Sequence, residues 1–347
     1  MLKNVEWVRG AMGLFAAGVM AFAGACEKSP SGGSNAGGNA SGGSGGSGGT
    51  KQAEYTIGVV AKSQSNPVFQ AARKGAEDAA RDLSASMGVK ITINWRTPNA
   101  EDAQEQARFV EQLAAQGVDG IAISCTDANV ATSAIDTAVG EGVVVVTFDS
   151  DAPKSKRLCY YGVDDVKAGA KVMDELARMM GGSGVVAVLA GNQAATNLQA
   201  RVQGVREEAA KHAGISIKDV YYHPETAADA AAKMQQVQNT NPDITGWALV
   251  GGWPLYTDNA LDGIYQNAKV CSMDPLPLPI EYVKKGQVQS LVGQPYYGWG
   301  YESVRIIMDK LHNGKDPESA FVTAPLDVVT SENADEYEKK WSQWLPK

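Results

Sequence analysis

The sequence is short of positive charge. Its 347 residues carry 31 Lys and Arg against 39 Asp and Glu, which gives a formal net charge of −8 at pH 7. A protein that binds duplex nucleic acid or an anionic membrane surface needs an excess of Lys and Arg on the contacting face. The charge balance therefore argues against nucleic acid as a partner.

Histidine is scarce, and the common catalytic and cofactor motifs are missing. Only His212, His223 and His312 occur. The sequence has no His-Glu-x-x-His, no paired Cys-x-x-Cys, no Walker A loop and no dinucleotide-binding glycine fingerprint. We therefore expect no metal, no cofactor and no enzyme activity. An exported hydrolase on an α/β scaffold is the enzymatic alternative.

Cysteine is also rare, with one near the N-terminus and three in the remainder of the chain, namely Cys26, Cys125, Cys159 and Cys271. Three cysteines allow at most one intramolecular disulfide. Cys125 and Cys159 both lie near predicted strand ends, so a bond between them is one possibility. Buried free thiols are the other, and we favour it because cysteine packs well as a small apolar residue.

The N-terminus has the pattern of a signal peptide over residues 1–25. Lys3 and Arg9 precede an apolar run over residues 11–25, which is short for a membrane span but suits a signal-peptide core. Small residues end the run directly before Cys26, in a pattern that resembles a bacterial lipobox. The resemblance implies cleavage before Cys26 and lipid attachment to its thiol. An ordinary secretory signal is the alternative.

A tether is predicted over residues 26–53. Between Ser31 and Thr50 the chain is nearly all Gly, Ser, Asn and Ala, a composition that cannot bury a core. A Gly-rich coil of ~25 residues has a mean span of roughly 25–30 Å. Such a segment would let a folded body move about a membrane anchor.

The rest of the chain alternates short apolar runs with segments of helical spacing, as expected of βα units. The predicted strands form two series: 57–60, 91–95, 121–124, 143–148 and 158–163, then 185–190, 217–222, 247–250, 270–273 and 288–293. Ten strands would be unusual in one strongly twisted sheet. We therefore predict an α/β protein with two doubly wound parallel-sheet lobes and a change of lobe near Asp164. A (β/α)8 barrel is the structural alternative.

Polar and aromatic residues recur at the C-terminal ends of the predicted strands, where open α/β sheets bind ligands. Carboxylates and amides satisfy adjacent hydroxyl groups, and aromatic rings cover the apolar faces of a sugar. The pattern therefore predicts a neutral polyhydroxylated ligand. The candidate ligand-binding residues are Lys62, Asn66, Phe69, Asp149, Ser150, Asn197, Gln199, Arg201, Trp253, Asp274 and Gln294.

The order and spacing of five segments resemble the ribose-binding-protein type of periplasmic sugar-binding proteins, the extracytoplasmic receptors of ABC importers. The segments are 59–69, 143–149, 197–204, Asp274 after a strand and Gln294 before a helix. The resemblance extends over residues 54–329. It implies two lobes joined by three hinge crossings, with residues 54–163 and 295–326 in the first lobe and residues 164–294 and 327–347 in the second.

By the same resemblance, Asn66, Phe69 and Asp149 contact the ligand from the first lobe. The residues that contact it from the second lobe and the hinge would be Asn197 or Gln199, Trp253, Asp274 and Gln294. Phe69 and Trp253 would grip the sugar ring between them. The resemblance also implies a monomer on the periplasmic or extracytoplasmic face of a bacterial membrane that delivers its sugar or polyol to an ABC transporter permease. A sensory protein that presents its ligand to a membrane kinase or chemoreceptor, without transport, is the alternative.

Four positions depart from the ribose binders. Ser150 and Gln199 stand where arginines are common, Val68 replaces an aromatic residue and Lys62 replaces a small one. Loss of two guanidinium groups and one ring changes which ligand hydroxyls find partners, and each unsatisfied buried group costs ~1–3 kcal/mol. The resemblance therefore does not identify the sugar.

Overall fold

The computed structural model describes residues 53–345. The predicted signal peptide, Cys26 and all but the last residue of the predicted tether lie outside that range. Within it, no helix combines the length and the apolar character needed to cross a bilayer.

The described part of the chain contains short strands that alternate with helices. The strands are β1 Glu54–Val60, β2 Lys90–Trp95, β3 Gly120–Ile123, β4 Val144–Phe148, β5 Cys159–Gly162, β6 Ser183–Ala190, β7 Gly214–Tyr222, β8 Gly246–Leu249, β9 Lys269–Met273, β10 Ser290–Gly293, β11 Phe321–Thr323 and β12 Asp327–Val329. The helices are α1 Val68–Met87, α2 Ala103–Ala115, α3 Ala128–Gly140, α4 Asp165–Met179, α5 Thr196–Ala209, α6 Ala227–Thr240, α7 Pro277–Lys284, α8 Tyr296–Asn313 and α9 Ala334–Trp344. A 3₁₀ turn spans Trp253–Tyr256.

Two six-stranded sheets organise these elements. The first has the strand order β11-β5-β4-β3-β1-β2, and the second has the order β12-β10-β9-β8-β6-β7. All neighbouring strands are parallel except β12, which runs antiparallel to β10. Each of the ten predicted strands overlaps an observed strand, so the prediction of two doubly wound lobes is confirmed. Two separate open sheets exclude the barrel.

The sequence pattern missed β11 and β12. Each has only three residues, and β11 includes Phe321, which is 53% exposed. So short a segment carries no periodic signal. These strands alternate between the sheets, so the chain passes from one sheet to the other after β5, after β10 and after β11. The residue boundaries predicted for the two lobes stay a prediction.

Aspartates begin several helices at the edges where strands end. The side chain of Asp102 accepts a hydrogen bond from the backbone N–H of Glu105, and Asp127 caps α3 in the same way. Asp164 accepts from the backbone N–H of Lys167 at 3.1 Å. It satisfies a free N–H group at the start of α4, where the chain first enters the second lobe.

The cysteines of the described part are buried and free. Cys125, Cys159 and Cys271 form no disulfide. Burial raises the pKa of Cys159 to about 11, with Asp151 acting in the same direction. The preference for buried free thiols is confirmed.

Candidate ligand-binding site

Two aspartates occupy matching positions in the two lobes. Asp149 directly follows β4 and Asp274 directly follows β9. They are the two non-glycine residues with positive φ in residues 53–345, at 56° and 70°, and each is 6% exposed. Such a backbone conformation costs about 1–3 kcal/mol and concentrates at functional sites. Both carboxylates are therefore held at the strand ends at some cost to stability.

Asp149 receives partners from both lobes. The Ser124 hydroxyl, directly after β3, donates to its Oδ2 atom at 2.7 Å. From the second lobe, Asn197 Nδ2 donates to Oδ1 at 3.2 Å. The Lys62 ammonium lies 4.0 Å from Oδ2. The ends of β1, β3, β4 and β6 thus meet around one carboxylate.

Arg201 links this carboxylate to the rest of the second lobe. It lies on α5, is 2% exposed, and donates to Asp165 Oδ1 at 2.8 Å and to Gln294 Oε1 at 2.7 Å. Its guanidinium also lies 3.9 Å from Asp149 Oδ1. Burial lowers the pKa of Arg201, but Asp165, Asp149 and Asp274 together raise it by more, so the net shift is upward. Arg201 therefore stays charged.

Asp274 has four donors. The N–H of Gly252 and the hydroxyl of Tyr256 donate to Oδ2 at 3.0 and 3.4 Å. Gln294 Nε2 and the Tyr296 hydroxyl each donate to Oδ1 at 2.9 Å. A carboxylate offers about four acceptor positions, so those of Asp274 are filled, whereas Asp149 has two close hydrogen-bond donors. Asp149 has more capacity left for a ligand. We call Asp149, Arg201, Gln294 and Asp274 the polar cluster.

Lys62 extends the polar cluster toward two further carboxyl groups. Burial lowers the pKa of Lys62, but Glu225, Asp149 and Glu101 raise it more, and the net shift is upward. Lys62 is 3% exposed and remains an ammonium group. Glu101 follows β2 in the first lobe, and Glu225 follows β7 in the second. Both were absent from the predicted site.

Four other predicted residues lie around the strand ends with different surroundings. Ser150 is fully buried, and its hydroxyl has no partner among the described residues. Asn66 accepts from the backbone N–H of Val68 at 3.3 Å at the start of α1. The Phe69 ring packs 6.1 Å from that of Trp299. Trp253 is 6% exposed and stands edge-on to His223, with 5.4 Å between ring centroids. The grip of Phe69 and Trp253 on a ligand stays a prediction.

Gln199 is the predicted residue that lies apart. Its side chain is exposed, and its amide donates to the backbone carbonyl of Gln193. Asn197 and Arg201 are four residues apart on α5 and share one face of the helix. Gln199 lies between them in sequence and so projects from the opposite side. The structure brings Asn197, not Gln199, to Asp149.

Several residues of the site were missed by sequence reasoning. Ser124 ends a predicted strand at the same edge as Asp149, so its position alone was a usable signal. Asp165 lies at the change of lobe, but its neighbours in sequence do not indicate that its partner is Arg201, 36 residues away. Tyr256 and Tyr296 reach Asp274 from a 3₁₀ turn and a helix start. Those contacts depend on tertiary packing that a local pattern does not contain.

The donors and acceptors of the site suit hydroxyl groups. Carboxylate, amide, ammonium and guanidinium groups converge from both lobes within a few ångströms of Asp149. Within residues 53–345, no group of three or more His, Cys, Asp or Glu side chains is placed to hold a metal ion. The arrangement can accept from and donate to adjacent hydroxyls of one small molecule.

Comparison with known proteins gives a consistent family. The ribose import binding protein RbsB of Bacillus subtilis (strain 168) is 27% identical over 280 residues, which cover 80% of this chain and 88% of that protein. The D-ribose/D-allose-binding protein of Pseudomonas aeruginosa is 25% identical over 79% of this chain and 88% of that protein. A solute-binding protein of an ABC transporter from Burkholderia graminis C4D1M, solved in complex with D-arabinose, has a TM-score of 0.76. It is 25% identical, and the match covers 82% of this chain and 98% of that one.

A family model extends the comparison beyond single relatives. Residues 57–316 match the model described as periplasmic binding protein domain. That range includes every predicted ligand-binding residue and extends from within β1 to just past the end of α8. The chain belongs to the periplasmic binding protein family, as the resemblance in its sequence implied.

Proposed function

We propose that this protein captures a sugar or small polyol between its two lobes. The observation that carries the proposal is the polar cluster, in which buried groups from both sheets meet at the strand ends around Asp149. Its carboxylates and amides match a neutral ligand with several hydroxyls. The predicted binding residues, apart from Gln199, would provide the hydrogen bonds and the apolar surfaces.

The relatives support this class of ligand. The Bacillus relative is named for ribose and the Pseudomonas relative for ribose and allose, and the Burkholderia protein was solved with D-arabinose. All are binding proteins, and the proposed role needs no covalent chemistry. The import role named for the Bacillus protein favours transport over sensing for this chain.

Ligand capture would work through closure of the lobes. Asn197 Nδ2 donates to Asp149 Oδ1, and the Thr196 hydroxyl donates to the backbone carbonyl of Asp151 at 3.0 Å. Both contacts join α5 of the second lobe to the end of β4 in the first. A ligand that bridges these elements stabilises the closed form, and a permease can recognise that form.

The proposal includes an extracytoplasmic location. We propose that residues 1–25 direct export, that Cys26 carries a lipid, and that the tether connects this anchor to a monomeric two-lobed body. Residues 54–163 and 295–326 would form the first lobe, and residues 164–294 and 327–347 the second. The closed form would deliver its ligand to an ABC transporter permease.

Calorimetry with the purified protein tests the ligand class. The panel is pentoses, hexoses and their reduced polyols, and a cooperative thermal unfolding transition shows that the sample is folded. We expect at least one member to bind, and Asp149→Ala to abolish or strongly weaken that binding. A folded protein that binds none of them would contradict the proposal.

A separate experiment tests the anchor. Full-length protein expressed in a bacterial host should partition into the membrane fraction, and Cys26→Ser should move it to the soluble extracytoplasmic fraction. Mass spectrometry of the N-terminal peptide should find the lipid on Cys26. An unmodified Cys26 in mature protein would remove the anchor from the proposal and leave ligand binding untouched.

A further inference from the structure

A cavity lies near the strand ends that carry the polar cluster, at the side of the cleft away from the chain crossings. It has a volume of about 720 Å³ and is lined by the segments that follow β2 and β3 in one lobe and β6 and β7 in the other. The strands β2 and β7 are the edge strands of their sheets, at the opposite ends from β11 and β12. We call this space the outer cavity. None of the predicted ligand-binding residues lines it.

Two buried polar atoms of the outer cavity lining have no partner. Thr126 is 4% exposed and His223 is 6% exposed. Thr126 Oγ1 and His223 Nε2 make no hydrogen bond within the described part of the chain. Buried polar atoms are nearly always hydrogen-bonded in folded proteins, so each one left over needs an explanation. A hydroxylated ligand in the outer cavity would supply both partners.

The Nδ1 atom of His223 determines whether Nε2 donates or accepts a hydrogen bond. Nδ1 lies 2.6 Å from the carbonyl oxygen of Pro224, which fixes the proton on Nδ1. Burial lowers the pKa of His223, although the Pro224 carbonyl and Glu225 oppose the shift, so the ring is neutral. Nε2 is therefore an acceptor, and the Thr126 hydroxyl can both donate and accept. A sugar hydroxyl meets both requirements.

Three carboxyl groups and one exposed ring also line the outer cavity, and one of the three, Asp127, caps α3. Burial, and then the neighbouring charge of Glu225, raises the pKa of Glu101 to about 9. Glu101 is therefore uncharged near pH 7, and the Lys62 ammonium group offsets negative charge in the lining, which favours a neutral occupant over an ionic one. Tyr222 is 38% exposed at the end of β7 and offers a ring face to an apolar sugar surface.

Lys62 links the outer cavity to the polar cluster electrostatically. Lys62 is 4.0 Å from Asp149 and interacts with both Glu101 and Glu225. The outer cavity is also present while Asn197 and Thr196 hold the lobes in contact. An occupant therefore does not require the cleft to stay open.

We infer that the outer cavity is a second sugar subsite, and that the ligand carries a second hydroxylated unit joined to the first, as in a disaccharide. The inference rests on the proposed function. The first unit is held by the polar cluster, and the second is held by Thr126, His223 and the Glu101–Glu225 pair, against the Tyr222 ring.

Matched pairs of sugars test the inference by calorimetry. The pairs are D-glucose with cellobiose and maltose, D-galactose with lactose, D-xylose with xylobiose, and L-arabinose with arabinobiose. We expect at least one disaccharide to bind at least tenfold more tightly than its own monosaccharide.

Variants of the outer cavity separate the two subsites. Thr126→Val keeps the side-chain shape and removes the hydroxyl, and Tyr222→Ala removes the exposed ring. Each should weaken the disaccharide about tenfold and leave the monosaccharide unchanged. Tyr265→Ala is the matched control, since Tyr265 is 39% exposed and lines a different cavity with Lys269. It should change neither affinity.

The outcomes distinguish the inference from the proposed function. Binding of monosaccharides with no gain for any disaccharide overturns the inference and leaves the proposed function standing. Equal weakening of both sugars by Thr126→Val and Tyr222→Ala also overturns it. A folded protein that binds no sugar of either length overturns the proposed function and the inference together.

Discussion

At the scale of single residues, Asp149 is the acceptor with room for a ligand. Asp149→Asn keeps the size of the side chain and removes its charge, so hydrogen bonds from ligand hydroxyls lose their charge assistance. We expect ligand affinity to fall at least about tenfold, which corresponds to ~1.4 kcal/mol. Calorimetry on the variant measures it. Asp219→Asn, at an exposed position, is the control and should bind like the wild type.

Asp274 differs from Asp149 because four donors already surround it. In Asp274→Asn an amide N–H group faces one of these donors, and a buried group without a partner costs ~1–3 kcal/mol. We expect the free energy of unfolding to fall by about that amount, together with ligand affinity. Urea unfolding followed by circular dichroism measures the change. A variant with wild-type stability would show that the four donors contribute little.

The carboxyl pair at the cleft edge predicts a pH dependence. The pKa of Glu101 is about 9 here, raised by burial and then by Glu225, against an ordinary value of 4.5. In an open form Glu101 would regain its ordinary pKa, so closure takes up a proton. A raised pKa stabilises the closed form at low pH, and the contribution is lost as pH rises toward 9.

Ligand affinity should therefore fall between about pH 6 and about pH 8, by at most about tenfold per pH unit. Calorimetry across this range checks the sign. Glu101→Gln cannot titrate and should flatten the dependence, whereas Glu111→Gln, at an exposed position on α2, should leave it unchanged. Affinity that rises with pH in the wild type would contradict the assignment.

Residue positions at strand ends could be predicted from sequence, but their partners could not. Asp149, Asp274 and Gln294 were predicted to follow strands, and they do, because the rule that parallel strands end at one edge needs only the chain order. The partner of Gln294 is Arg201, 93 residues away, and the pair forms only in the folded second lobe, where α4 packs against both α5 and β10. Gln199 and Arg201 are both polar, so the sequence does not show which of them is buried. Gln199 is exposed and Arg201 is buried because they project from different faces of α5.

At the scale of elements, each lobe contains one pair of helices in close contact through glycine. In the first lobe, a Cβ on Gly300 of α8 would lie 1.8 Å from the carbonyl oxygen of Ala72 in α1. In the second, a Cβ on Gly169 of α4 would lie 1.9 Å from the carbonyl oxygen of Arg201 in α5. The second contact sets the distance at which α5 presents Arg201 to the polar cluster.

Gly169→Ala should therefore affect both stability and binding. The added methyl group forces α4 and α5 apart, and overpacking of this kind costs about 1–3 kcal/mol. Because α5 carries Asn197 and Arg201, ligand affinity should also fall.

Gly300→Ala is the matched control for Gly169→Ala, since it disturbs the first lobe's helix pair and should lower stability with less effect on affinity. Gly140→Ala, with nothing near the added Cβ, should not destabilise the protein. Chemical unfolding and calorimetry distinguish the three variants. Equal stability of Gly169→Ala and wild type would show that the helices adjust.

At the scale of the whole molecule, the number of lobes could be predicted from the sequence, but the contacts between the lobes could not. Ten strands in two series predict two sheets because a single twisted sheet of that size is unusual. The contact between lobes depends on single hydrogen bonds, such as that of Thr196 to Asp151, which no pattern encodes. The outer cavity was also beyond the sequence, because it is formed by segments from four different strands that meet only in the closed arrangement.

The hydrogen bond from Asn197 to Asp149 makes closure sensitive to charge. The Asn197 Nδ2 and Asp149 Oδ1 atoms are 3.2 Å apart. In Asn197→Asp, two carboxylates would therefore face each other across the lobes. Repulsion between unit charges about 4 Å apart is roughly 1–4 kcal/mol near a protein surface. It acts only when the lobes are together, so it destabilises the closed form and leaves each lobe folded.

We therefore expect Asn197→Asp to weaken ligand binding by about tenfold or more, because 1.4 kcal/mol corresponds to a factor of ten. Small-angle X-ray scattering should show that the variant keeps a larger radius of gyration than the wild type at the same ligand concentration. Gln199→Glu is the matched control, since it adds the same charge to the same helix at an exposed position. If Gln199→Glu opens the protein as far as Asn197→Asp does, the effect comes from the charge of α5 as a whole and not from its contact with Asp149.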